Sequence, residues 1–183
     1  MFNLFVPDII CGSVYDIDFD SLKKENITGL IFDIDNTLVS YKTEKPDGDV
    51  INLMNRLKES GFTVCFVSNN GKKRVDIFNV DFKYSSFPNA KKPSKKSMRG
   101  ALDAMNLSGE NVAVIGDQLF TDVAAARRVK AAAVLVTPIE PVKTIFFKFK
   151  RFMEKPFIKI YYRRLRKSER LKSLGEPDKD GQI

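Results

Sequence analysis

Four times between residues 29 and 136 the chain runs through a few largely apolar residues and then changes character: Gly29-Leu-Ile-Phe-Asp-Ile, Phe62 to Val67, Val112 to Ile115 and Ala132 to Val136. Runs this short, bounded by acids, serine and glycine, read as strands buried on both faces. Between them the spacing becomes helical. Apolar residues at 50, 53, 54 and 57 predict a helix over 49–60, capped by Asp49 at its start and Gly61 at its end. Residues 71–80 read as a short helix and 82–87 as a further strand. Ser94 can cap a helix with Met98, Ala101, Leu102 and Met105 on one face, and 119–129 reads as another helix. Strands alternating with helices predict an α/β domain, a Rossmann-like and mainly parallel sheet with helices on both faces. Ligands in such folds bind beyond the carboxyl ends of the strands.

What the chain lacks narrows its chemistry. It contains no histidine, which removes the Ser-His-Asp triad, HExxH zinc sites and phosphohistidine intermediates. No GxxxxGK[ST] or GxGxxG string occurs, against P-loop and dinucleotide binding. Neither Cys11 nor Cys65 is followed by an arginine six positions on, so a cysteine-phosphatase loop is absent. Acid–base work falls to Asp, Glu, Lys, Tyr or Cys. Cys65, inside an apolar run, reads as a core residue, and two cysteines in this setting predict reduced thiols of a cytoplasmic protein. Met1 to Gly12 lacks a basic leader and is interrupted by Pro7 and Asp8, so it reads as part of the mature protein.

Four strings fall at strand ends or helix starts: Asp33-Ile-Asp35-Asn-Thr37, Ser68-Asn69-Asn70, Lys92-Pro93-Ser94 and Gly116-Asp117-Gln-Leu-Phe-Thr-Asp122. Gathered at one edge of a sheet, they supply the parts of phosphoryl transfer. A carboxylate can attack phosphorus and form an acyl phosphate. A second acid protonates the leaving oxygen and then deprotonates water. Mg²⁺ prefers oxygen ligands, and a hydroxyl and an ammonium can hold the phosphoryl oxygens. Asp16-Ile17-Asp18 follows no apolar run and reads as local capping.

The order DxDxT, Ser, Lys, GDxxxxD resembles the haloacid dehalogenase superfamily over about residues 28–137. The resemblance implies that Asp33 is the nucleophile and Asp35 the general acid and base. Ser68, Asn69 and Lys92 would bind phosphate, with Lys91, Lys95 and Lys96 as rivals for the lysine role. Asp33, the Asp35 main-chain carbonyl and Asp117 would ligate Mg²⁺, and Asp122 would support them. An acid at position 35 is the pattern of phosphatases and mutases in that superfamily.

Only 35 positions separate Asp33 from Ser68 and 24 separate Ser68 from Lys92, too few for an inserted cap domain. The expected fold is capless, with an open site suited to a phosphate carried on something large. The absence of cap and zinc loop, together with the segment ahead of GLIFDIDNTLV, resembles the YqeG-type phosphatases of subclass IIIA, which are similar to mitochondrial phosphatidylglycerophosphate phosphatases.

The net charge of +8 is localised. Residues 1–142 hold 18 basic and 18 acidic side chains, 143–172 hold 12 and 2, and 173–183 contribute −2. The chain thus divides into a phosphatase core (1–142), a basic helical extension (143–172) and a flexible tail (173–183). In the extension Ile145, Phe146, Phe149, Phe152 and Met153 share one side of a helical wheel. Pro156 is expected to end that helix, and Ile158, Tyr161, Tyr162 and Leu165 resume the spacing. The bland reading is a helix covering the sheet. The functional reading is an interfacial helix drawn to an anionic membrane surface, peripheral on its inner face, with a lipid-borne phosphomonoester as substrate. The alternatives are a nucleic-acid, protein or small-molecule phosphate, or an RNA- or ribosome-binding protein with a vestigial site.

Overall fold

A computed structural model describes residues 2–140 and 145–175, with side chains described for 4–140 and 152–167. Six parallel strands form one sheet in the order β1-β6-β5-β2-β3-β4: β1 Ile9–Cys11, β2 Gly29–Phe32, β3 Thr63–Val67, β4 Ser85–Phe87, β5 Val112–Gly116 and β6 Ala132–Val136. The helices are α1 Phe19–Lys24, α2 Gly48–Glu59, α3 Lys72–Asn79, α4 Lys95–Met105, α5 Ala124–Arg128 and α6 Ile145–Gly175. A π-helical turn, Leu119–Val123, leads into α5. No domain is inserted between Asp33 and Ser68 or between Ser68 and Lys92; the first span holds loops with α2 and β3, the second loops with α3 and β4.

Strand alternation sorts the core into two layers. Leu30 and Phe32 of β2, with Val64 and Phe66 of β3, face Val50, Leu53, Met54 and Leu57 of α2 and Val75 and Phe78 of α3. Ile31, Cys65 and Val67 point the other way, onto Met98, Ala101 and Met105 of α4 and onto α5. Cys11 and Cys65 are both free thiols, and Cys65 is fully buried, as expected of a core residue.

Three sequence expectations are corrected, and one strand is added to those the sequence announces. The cap of α2 is Asp47, whose Oδ1 accepts from Val50 N at 2.9 Å, so the helix starts one residue before Asp49. Gly61 does close it, at φ 83°. The segment 119–129 begins with the π-turn rather than a regular helix. The N-terminal segment supplies a strand that three residues are too few to announce: β1 pairs with β6, Asp8 N donates to Ala133 O at 2.8 Å, and Asp8 Oδ2 accepts from Ala133 N at 2.8 Å. The third correction concerns Pro156. A proline inside a helix costs about 3 kcal/mol, yet α6 continues through it. Phe157 and Ile158, directly after it, pack on the second core layer, and Glu154 is buried. That tertiary packing holds the backbone helical across the proline.

Alpha6 runs past residue 172 to Gly175, and residues 176–183 of the expected tail lie outside the described residues. So do the side chains of Ile145, Phe146 and Phe149. Phe152, Met153, Tyr162 and Leu165 are exposed. Asp18 caps α1 through Ser21 N at 2.9 Å, and Asp16 accepts from Ser13 Oγ at 2.8 Å, both local roles.

Candidate active site

Parallel pairing brings the carboxyl ends of all six strands to one edge, and the chain reverses its direction of winding across β2. Beta2 delivers Asp33, whose N–H still donates to Ile115 O at 2.9 Å. The chain then bends. Asn36 takes φ 64°, which asparagine tolerates, and its side chain both donates to and accepts from the Glu140 main chain, at 2.8 and 2.9 Å. Asp35 and Val39 close a bridge. Beta3 delivers Ser68, tied by main-chain bonds to Phe87 (3.1 Å) and Ala90 (3.0 Å), on the loop that leads to Lys92. Asn69 Oδ1 accepts from Lys92 N at 2.7 Å. Beta5 delivers Gly116 and Asp117. The π-turn brings Asp122 back, its Oδ2 accepting from Gln118 N and Thr121 Oγ1, both at 3.2 Å.

Lys92 joins these pieces. Its Nζ lies 2.9 Å from Asp33 Oδ1 and 2.7 Å from Asp122 Oδ1, and donates to Val67 O at 2.8 Å. Its rivals Lys91, Lys95 and Lys96 are exposed, while the Lys92 side chain is 2% exposed. Burial alone would lower the lysine's pKa, but the Asp122 and Asp33 carboxylates more than offset it and hold the amine charged. Burial pushes the Asp33 carboxyl up to about 7 against the pull of Lys92, and the Asp122 charge adds to the rise. Carboxylate oxygens of Asp33, Asp117 and Asp122 lie within 4.8 Å of one another. Three buried acids around one ammonium leave an excess of negative charge, and an all-oxygen donor set of this kind suits a hard divalent cation.

In front of this cluster opens a pocket of about 200 Å³ lined by Asp33, Asp35, Tyr41, Ser68, Asn69, Asn70, Gln118 and Thr121. The structure thus gathers all seven residues singled out from the sequence, four on the pocket wall and Lys92, Asp117 and Asp122 buried close by. It adds others. Asp35 accepts from Asn70 Nδ2 at 2.9 Å, from Ser68 Oγ at 3.4 Å, and from Arg74 Nε and Nη2 at 3.2 and 3.0 Å. Asn70 stood beside a recognised string. Arg74 and Tyr41 carry no local signal, because each meets the site only through the tertiary fold.

Gly116 marks how closely the parts approach. A Cβ there would fall 2.5 Å from Asp122 Cβ and 2.7 Å from its Oδ2, and would collide with its carboxyl carbon. Gly116→Ala should therefore cost about 1–3 kcal/mol of stability and displace Asp122 from Lys92. Denaturant unfolding beside steady-state turnover checks this, with both expected to fall.

Residues 89–138 match the family profile described as HAD-hydrolase-like. The chain is 33% identical over 153 residues to the probable phosphatase YqeG of Bacillus subtilis (strain 168), spanning 84% of this chain and 89% of that one. It is 27% identical over 128 residues to the glyceraldehyde 3-phosphate phosphatase of Pyrococcus furiosus, 65% of this chain but only 48% of the relative. Among solved structures, the cobalt-bound deoxy-D-mannose-octulosonate 8-phosphate phosphatase of Haemophilus influenzae superposes with a TM-score of 0.51 at 15% identity, over 76% of this chain and 91% of that one. At that identity the likeness is one of fold.

Proposed function

The chain belongs to the haloacid dehalogenase superfamily, among its YqeG-type phosphatases, and from that premise we propose that it hydrolyses a lipid-borne phosphomonoester through an aspartyl phosphate on Asp33. The observation that carries the chemistry is the buried Lys92 ammonium between Asp33 and Asp122 at the back of an open pocket. In this reading an Asp33 oxygen attacks phosphorus as the bond to the leaving oxygen breaks, and Asp35 supplies that oxygen's proton. Asp35 then takes a proton from water. The water oxygen attacks phosphorus, the bond to Asp33 breaks, and phosphate leaves. Ser68, Asn69 and Lys92 hold the phosphoryl oxygens. Bound Mg²⁺, held by Asp33, Asp117 and the Asp35 carbonyl with support from Asp122, would offset the charge on those oxygens.

The substrate class rests on α6, which from Ile145 onward carries the basic extension we assign to residues 143–172, attached to a phosphatase core of 1–142. Phe157 packs at 5.2 Å from Phe5 and 6.0 Å from Phe120, and Phe120 is followed by Thr121 of the pocket wall. The helix is thus anchored beside the site. Its far side exposes Phe152, Lys155, Lys159, Tyr162, Arg163, Arg166 and Lys167, aromatic rings among cations. No helix among the described residues is long and apolar enough to cross a membrane. Attraction to an anionic leaflet is worth about 1 kcal/mol per basic residue near it, so several together would hold the enzyme on the inner face. Phosphatidylglycerophosphate is the leading candidate substrate.

Changing Lys159, Arg163, Arg166 and Lys167 together to glutamine tests this. Binding to phosphatidylglycerol-containing vesicles should fall at least tenfold, and turnover of phosphatidylglycerophosphate in them should fall in step. Hydrolysis of a soluble ester should stay near the parent's, need Mg²⁺ and stop reversibly in EDTA. Unchanged vesicle binding would remove the lipid assignment. A steeper loss of RNA binding would favour a nucleic-acid partner.

A further inference from the structure

The chain between Ser40 and Asp47 places Tyr41 on the pocket wall, yet it has little to hold it. Residues 41–45 are exposed. Inside the loop the bonds are local: Thr43 N to Ser40 O at 3.1 Å and Lys42 N to Ser40 Oγ at 3.3 Å. Toward the segment after β6 it makes an ion pair between Lys42 and Glu140 at 3.3 Å. Those two side chains are 83% and 41% exposed, and exposed pairs of that kind contribute little.

The strong tie comes from α3. Arg74 Nη1 donates to Glu44 O at 2.5 Å, and Nη2 donates to Thr43 O. The same guanidinium grips Asp35 Oδ1 through Nε and Nη2. Its side chain is 14% exposed, so the bonds to Asp35 are part-buried and charge-assisted, while those to the exposed loop carbonyls are charge-assisted and two in number. One planar group therefore faces two things at once: the carboxylate of Asp35 and the two consecutive carbonyls that fix the loop carrying Tyr41. Tyr41 lines the pocket alongside Asp33 and Asp35.

We infer that Arg74 is a positioning residue that fixes the Tyr41 loop relative to Asp35, so that one guanidinium sets both the pocket mouth and the acid. The ligand it serves is the leaving-group half of the substrate, in the pocket that Tyr41 and Asp35 both line. This rests on the proposed role of Asp35 at the leaving oxygen. A lysine cannot replace the arginine, because a single ammonium lacks the fork needed to reach the carboxylate and both carbonyls.

The test combines hydrogen exchange with a mutant cycle on the full chain, using Arg74→Gln, Arg74→Lys, Tyr41→Ala and the double variant Arg74→Gln/Tyr41→Ala. Amides of residues 41–45 should exchange at least about tenfold faster in Arg74→Gln, while β2 and β3 stay protected, and Arg74→Lys should recover little of the difference. With p-nitrophenyl phosphate, whose leaving group needs little protonation, the loss in Arg74→Gln should fall mainly on KM. With an alkyl phosphomonoester kcat should fall as well, about ten- to a hundredfold in kcat/KM. The double variant should lose no more than the worse single one, because both act through one loop. Unchanged exchange at 41–45 in both Arg74 variants overturns the tie, whether or not any ester is hydrolysed. Faster exchange with effects that simply multiply in the double variant overturns the coupling. A parent enzyme inert on every phosphomonoester would instead strike the proposed function, and the exchange data would still decide whether Arg74 holds the loop.

Discussion

Asp33→Asn should fold as the parent does and hydrolyse phosphomonoesters at less than about a thousandth of its rate. The amide does not attack phosphorus, cannot form the acyl phosphate and is a poorer ligand for a hard cation. The site should tolerate the change sterically, since an amide matches the carboxylate in shape. Lys92 keeps its contacts with Asp122 and Val67. Equal unfolding midpoints in chelator, measured beside single-turnover kinetics, would separate lost chemistry from lost fold. Turnover above about a hundredth of the parent's would remove Asp33 as the nucleophile.

Lys92→Met should have the largest effect on stability, about 3–5 kcal/mol, the usual cost of leaving a buried partner charge uncompensated. Methionine fills similar volume but leaves Asp33 and Asp122 facing each other, with Asp117 near both. Urea unfolding in chelator reads the loss. Combining Lys92→Met with Asp33→Asn removes one of the stranded charges, so the double variant should be more stable than Lys92→Met alone. Strict additivity of the two changes would mean that Lys92 and Asp33 are not coupled across their 2.9 Å contact. Activity should be lost in both variants.

The parts of the site that stand at strand ends were legible because there the local pattern and the tertiary position are the same fact. An apolar run that stops at Asp33, Ser68 or Asp117 states where a strand ends, and parallel pairing then makes those ends neighbours. The same logic gave the sheet and its two layers. Beta1 escaped because three residues carry no period, and its partner lies 125 positions downstream. Asp47 and Asp49 are chemically equivalent caps, and only the backbone angles decide between them. Pro156 misled because its local cost is real and the packing of Phe157 and Ile158 that offsets it is nonlocal. Arg74 was invisible for the same reason. The third of three consecutive cations at the start of a short helix looks like solvated surface until the fold brings Asp35, 39 positions earlier, beneath it.

The pairing of β1 with β6 bears on how the protein is made. Within the sheet β1, earliest in chain order, waits for β6, the last, and Arg127 on α5 is also late in donating to Val6 O at 2.7 Å and Asp8 Oδ1 at 2.7 Å. Until then residues 6–11 are an apolar ribbon without a partner. Beta2, β3 and β5 can assemble without them, so a nascent chain holds a nearly finished catalytic edge while its outer flank is still open. Closure of that flank carries the highest loop-closure cost in the sheet. A chain shortened by its first eleven residues would never complete it, and β6 would stay an unpaired edge, free to add strands from other copies.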